Sequence, residues 1–204
     1  MAYEYDIFIS YRRQADTHLW ITKHFAPRLE ARVELELGRR PAIFVDDQIE
    51  SGTSWPASLG EALGTSRILI PLWTRTFLSS AWCAAELSHM LGREADEGLR
   101  KNERQHGVIV PAFIHDGVTF PPELSHITYF EIQRTYIAHM PRDGRLAARL
   151  ESALAAQAPA IAKCIEKAPP WREAWPRDAA TQFFALFYQK TEPLQATTPR
   201  LMAP

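Results

Sequence analysis

The run SRILIPLW, residues 66–73, constrains the fold more than any other stretch of this chain. After Arg67 its apolar character is nearly continuous, with no alternation of wet and dry positions. A strand with one solvated face alternates, whereas a strand covered on both faces of a parallel sheet does not. Such a strand needs helices on both sides and parallel neighbours.

The rest of the chain supplies them. YDIFIS (5–10) is β-branched and aromatic and reads as a strand. HLWITKHFAPRLEARVELEL (18–37) has helical apolar spacing, with Pro27 positioned to kink it or reset its start and Gly38 to stop it. PAIFVD (41–46) follows as a second strand, then a helix over SWPASLGEAL (54–63) with Ser54 as N-cap and Pro56 in the first turn. After SRILIPLW come a helix beginning near Ala81, a strand at GVIVPAFI (107–114) and a short strand at ITYFEI (127–132). GRLAARLESALAAQAPAIAKCIE (144–166) reads as a helix broken at Pro159. Alternating strands and helices of this length predict an α/β fold with an open parallel sheet.

Composition excludes more than it selects. The 204 residues carry a formal net charge of -1, so no polyelectrolyte contact with nucleic acid is expected. No apolar run approaches the roughly 20 residues that cross a bilayer. The N-terminus MAYEYDIFIS has no basic n-region, so no signal peptide is read. Cys83 and Cys164 form no metal-binding or redox spacing, and a reducing, cytoplasmic setting is expected. There is no GxGxxG after the first strand, no P-loop and no HExxH or GxSxG, and the seven histidines are scattered. A phosphoacceptor receiver domain would need acids where the first strand ends SYRR and the third ends LWTR, which excludes it.

AWCAAELSHML (81–91) contains one acid on an apolar helix. Each helical residue advances about 100°, so with Trp82 at zero Glu86 falls near 40°, inside the apolar arc that runs from Trp82 through Met90, Cys83 and Leu87 to Leu91. A buried ionised carboxylate must be paired, protonated or facing a cleft. Ligands of open α/β sheets gather beyond the carboxyl ends of the strands. Arg12 and Arg13 lie at the end of the first strand, suited to a phosphate or carboxylate. The loop in FVDDQIESGTSW (44–55) and the start of the Glu86 helix occupy the same rim. A helix-start acid, an internal salt bridge and a solvated basic loop are the plainer alternatives for these groups. The convergence of three segments favours a site.

At these residues the chain resembles a TIR (Toll/interleukin-1 receptor) domain. YDIFISYRR is similar to the family's first box, FVDDQIESGTSW to its second strand and BB loop, and SRILIPLWTRTFLSSAWCAAEL to its third strand and tryptophan-to-glutamate helix. The resemblance spans residues 4–166. It implies a flavodoxin-like sheet of five parallel strands in order 2-1-3-4-5. After Lys167 the sequence becomes proline-punctuated and aromatic, so residues 1–167 read as the domain and 168–204 as an appendage with one short aromatic-rich helix. That appendage holds Trp171, Trp175, Phe183, Phe184, Phe187 and Tyr188, expected to pack back onto the sheet domain, with docking of another subunit as the alternative.

The resemblance further implies an enzyme that cleaves the nicotinamide–ribose bond of NAD+, with NAD+ as substrate and neither metal nor resident cofactor. Glu86 takes the catalytic position. Ser10, Tyr11, Arg12, Arg13, Asp47, Trp55 and Trp82 take substrate-side positions, and Glu50 and Gly52 belong to the same loop. Trp82 also reads as core. Self-association through the loop at 46–55 is implied, as are a prokaryotic antiphage or immune setting and a downstream effector sensing the nucleotide product. ADP-ribose so released can be captured by water, by its own adenine to form a cyclic product, or by another nucleophile. The alternative is a TIR–TIR scaffold without chemistry.

Overall fold

The computed structural model describes residues 2–46, 55–101, 106–115 and 120–190, without the side chains of Ala15, Trp55 and residues 187–190. Its sheet has five strands in the order β2-β1-β3-β4-β5, every pairing parallel. These are β1 (Tyr5–Ser10), β2 (Ile43–Phe44), β3 (Ser66–Trp73), β4 (Ala112–Phe113) and β5 (Phe130–Glu131). β1 and β3 occupy the spans expected from sequence. They form the long central ladder, with Ile7 opposite Ile68 and Ser10 opposite Pro71.

The other strands are shorter than their apolar runs. An apolar run continues wherever the chain stays buried, whereas a strand lasts only as long as its neighbour's ladder. β2 and β5 are edges, and beside β4 stands Pro111, which has no N–H to donate. Pairing there continues as a lone bridge from Leu69 to Ile109.

Helices cover both faces, as both-face burial of β3 requires. α1 (Ala15–Trp20) passes through a π-helical turn (Ile21–Phe25) into α2 (Ala26–Leu37). That widened turn sits just ahead of Pro27, whose missing N–H cannot close the regular ladder. α2 packs against α5 (Arg145–Glu166) on one face. Contrary to the expected break, α5 runs unbroken through Pro159. The proline ring is exposed, so the carbonyl it leaves unpaired can be hydrated.

α3 (Trp55–Gly64) and α4 (Ala81–Asp96) lie on the opposite face, with α6 (Ala174–Lys190) packed across both. The α3–α6 seam is tight. A Cβ on Gly60 would lie 2.5 Å from Ala180 Cα, and one on Gly64 would lie 2.3 Å from Pro176 Cα. These two glycines, one turn apart, let the helix backbones touch. Trp175, Ala179 and Phe183 of α6 are buried. The Trp171 indole donates to Gly64 O at 3.1 Å, and Tyr3 donates its hydroxyl proton to Pro169 O at 2.7 Å. Among the described residues no helix is long and apolar enough to cross a membrane.

Candidate active site

In this strand order the chain leaves β1 toward β2 and later returns to β3 on the other side. The switch point between β1 and β3 is where open α/β sheets form a crevice at the carboxyl rim. Ser10 closes β1 at that point. α4 starts close by, after β3, with Ser80 as its N-cap accepting from Cys83 N at 3.4 Å. One further turn along α4 brings Glu86 to Ser10.

Glu86 is 6% exposed, and Ser10, at 1%, donates its hydroxyl proton to Glu86 Oε2. Burial pushes the Glu86 carboxyl up to about 8; the Ser10 hydrogen bond pulls it down, and the charge of Asp46 adds to the rise. Cys83, one turn earlier on α4, is pushed up to about 12 by burial and by Glu86. The rim thus holds an acid that is largely protonated at neutral pH and ionises readily once a cation arrives.

A second cluster adjoins it. Tyr11 is buried, and its hydroxyl lies 2.8 Å from Asp46 Oδ1, to which it donates, and 2.7 Å from His18 Nδ1. Its ring stacks on the His18 ring at 6.2 Å and 26°. Arg13, with a largely exposed side chain, faces Asp46 Oδ2 at 3.6 Å. Arg12 turns the other way and donates to Thr76 O at 3.3 Å and to Ser79 Oγ, bracing the end of β1 against the segment that leads into α4. Trp82 is half-buried with its ring 5.5 Å from that of Phe183.

The structure therefore brings Ser10 and Glu86 into contact and sets Tyr11 and Arg13 around Asp46. It places Arg12 on the β3–α4 segment and Trp82 against α6. Asp47, Glu50 and Gly52 lie outside the described residues, as does the Trp55 side chain, although its backbone opens α3. His18, Asp46 and Ser79 are rim residues that sequence reading passes over. For Asp46 a signal existed, since it ends the second apolar run at the same rim; for His18 there was none beyond its closeness in sequence to Tyr11.

A flavodoxin-like sheet with a buried acid and a hydroxyl at its switch point defines the class: an α/β domain with polar side chains gathered at its carboxyl rim. A family model of the TIR domain matches residues 7–142, and the chain belongs to that family. Among solved structures it is similar to the TIR domains of the activated Roq1 resistosome, which directly recognises the pathogen effector XopQ. That match has 20% identity and a TM-score of 0.39, covering 92% of this chain and 99% of the other.

Proposed function

We propose that the protein cleaves the bond between nicotinamide and ribose in NAD+, with Glu86 as the catalytic carboxylate. The observation that carries this reading is a buried glutamate that accepts a hydrogen bond from Ser10 at the switch point. In the reaction the C1′–N1 bond breaks, both electrons leave with nicotinamide, and positive charge spreads over C1′ and the ring oxygen. Such oxocarbenium-like states are stabilised by a nearby carboxylate, most strongly where water is excluded. Bound NAD+ brings a pyridinium cation toward Glu86, which favours loss of the carboxyl proton as substrate seats. Ser10 holds the carboxylate in place. When water captures the sugar, its oxygen bonds C1′ and one proton is released to solvent.

Arg13 is suited to the pyrophosphate, being a largely exposed guanidinium beside the cleft with room to exchange Asp46 for a phosphate. Arg12 supports the site from behind. The loop at 46–55 remains the proposed contact between copies, so turnover is measured at high protein concentration with a crowding agent. Chromatography of NAD+ reactions tests the reading: the wild type releases nicotinamide, and Glu86→Ala does not. An assembled wild-type protein that leaves NAD+ intact refutes it and favours the scaffold alternative.

A further inference from the structure

The largest organised feature outside the cleft is the seam that α6 makes with α3 and α4. Its two ends differ. At the far end the Arg93 guanidinium, buried near the C-terminus of α4, lies 3.9 Å over the Trp175 ring and donates to Ser66 O at 3.0 Å. Arg172 pairs with Glu97 there, and Trp171 and Pro169 are tied to Gly64 and Tyr3. At the near end Phe183, fully buried, packs on Trp82. α6 therefore runs antiparallel to α4, anchored below and reaching the cleft end above.

We propose that α6 is a positioning element for the cleft, with Phe183 holding Trp82 and thereby fixing the first turn of α4 at the height where Glu86 meets Ser10. Trp82 precedes Glu86 by one helical turn, so an outward movement of one carries the other. The sheet supports α4 from inside through Cys83, Leu87 and Met90, all buried. Arg12 braces only the segment before the helix. The outer side of that first turn is covered by α6. Removing the Phe183 ring opens the space into which Trp82 can move, while the anchors near Trp175 keep α6 docked. Phe183 touches no reacting atom, so it is a positioning residue.

The kinetic consequence rests on the NAD+-cleaving reading; the structural one does not. The experiment therefore uses two readouts on the full chain. The first follows the Glu86 carboxyl by carbon NMR of glutamate-labelled protein through a pH titration. The second measures NAD+ turnover. Among the described residues the ionisable groups facing Glu86 are Asp46, just beyond β2, and the Cys83 thiol on α4, and both are retained in every variant. Phe183→Ala lowers the Glu86 midpoint by about one pH unit as water reaches the carboxyl, because relief of burial, the largest cause of its rise, outweighs the loosened Ser10 hydrogen bond, which alone would raise it. A displacement on the order of 1 Å lowers kcat by roughly ten- to a hundredfold, with KM within about twofold. Phe183→Leu restores both, and Gln182→Ala, an exposed neighbour, matches the wild type.

A folded Phe183→Ala protein with the wild-type midpoint overturns the proposal, whatever its turnover. If the wild type leaves NAD+ intact, the NAD+ reading fails alone and the titration still decides. If Phe183→Ala loses its cooperative melt, Phe183→Val, too short to reach Trp82, takes its place with the same expected shift and the same overturning result.

Discussion

Replacing Glu86 with glutamine will make this protein more stable at neutral and alkaline pH, the reverse of what most buried substitutions do. The amide keeps the volume of the carboxyl and still accepts the Ser10 proton, but it has no charge to bury. In the wild type the carboxyl moves from an ordinary 4.5 to about 8 on folding. Between those values the folded protein retains a proton that the unfolded chain has released, so stability falls as pH rises. The acid's contribution is fully present below pH 4.5 and is lost by the time pH has passed 8. At about 1.4 kcal/mol per pH unit the loss is on the order of 3 kcal/mol at pH 7 and on the order of 5 kcal/mol above pH 8.

His89, three residues further along α4, works against it. Burial, and after it the charge of Arg93, pushes its imidazole down to about 4. The unfolded chain then takes up a proton that the folded protein refuses, so stability falls as pH drops from 6.5 toward 4. Between pH 4.5 and 6.5 the two slopes oppose each other, and the wild type is nearly indifferent to pH from these groups. Glu86→Gln exposes the histidine slope, roughly 1.4 kcal/mol per pH unit, rising with pH. Urea denaturation of both proteins at intervals from pH 4.5 to 9 gives two curves whose difference isolates Glu86. A difference that stays constant over that range would falsify the buried-acid account.

Other outcomes follow from the same geometry. Ser10→Ala removes the hydrogen bond that draws the Glu86 carboxyl down, so the pH–activity profile for NAD+ moves to higher pH and turnover at pH 7 falls about tenfold; a superimposable profile contradicts this. The Cys83 thiol, held near 12, will resist iodoacetamide at pH 8 in the folded protein and react on unfolding, as mass spectrometry would show. Gly64→Ala forces a methyl into the Pro176 backbone, costing on the order of 2–3 kcal/mol in a denaturant melt; a wild-type midpoint would mean that the seam is looser than described. Pro159→Ala supplies the missing helical N–H on an exposed face and stabilises by roughly 1–3 kcal/mol, measured the same way.

β1 and β3 were legible to the residue because their apolar and β-branched character begins and ends with the ladder they share. The helical phase of Glu86 was legible too, since its spacing of four residues from Trp82 and three from Cys83 places it inward whatever the tertiary packing. The extents of β2, β4 and β5 were not, because burial outlasts pairing at sheet edges and beside Pro111. Pro159 misled for a related reason: a proline breaks a helix when its lost hydrogen bond is buried, and this one faces water. The cluster of Tyr11, His18 and Asp46 joins β1, α1 and the end of β2 across 35 residues, which no local pattern encodes. The docking of α6 had left a trace, in Gly60 and Gly64 spaced one turn apart on α3.

Those two glycines also make the seam behave like a key cut without tolerance. Most helix pairs meet through side chains that can shift rotamers, so one helix can ride a little higher or lower on the other. Here main chain rests on main chain, and there is no cushion to compress. α6 is either seated or away, and any event that lifts it releases the face of α3 and α4 as a whole rather than by degrees.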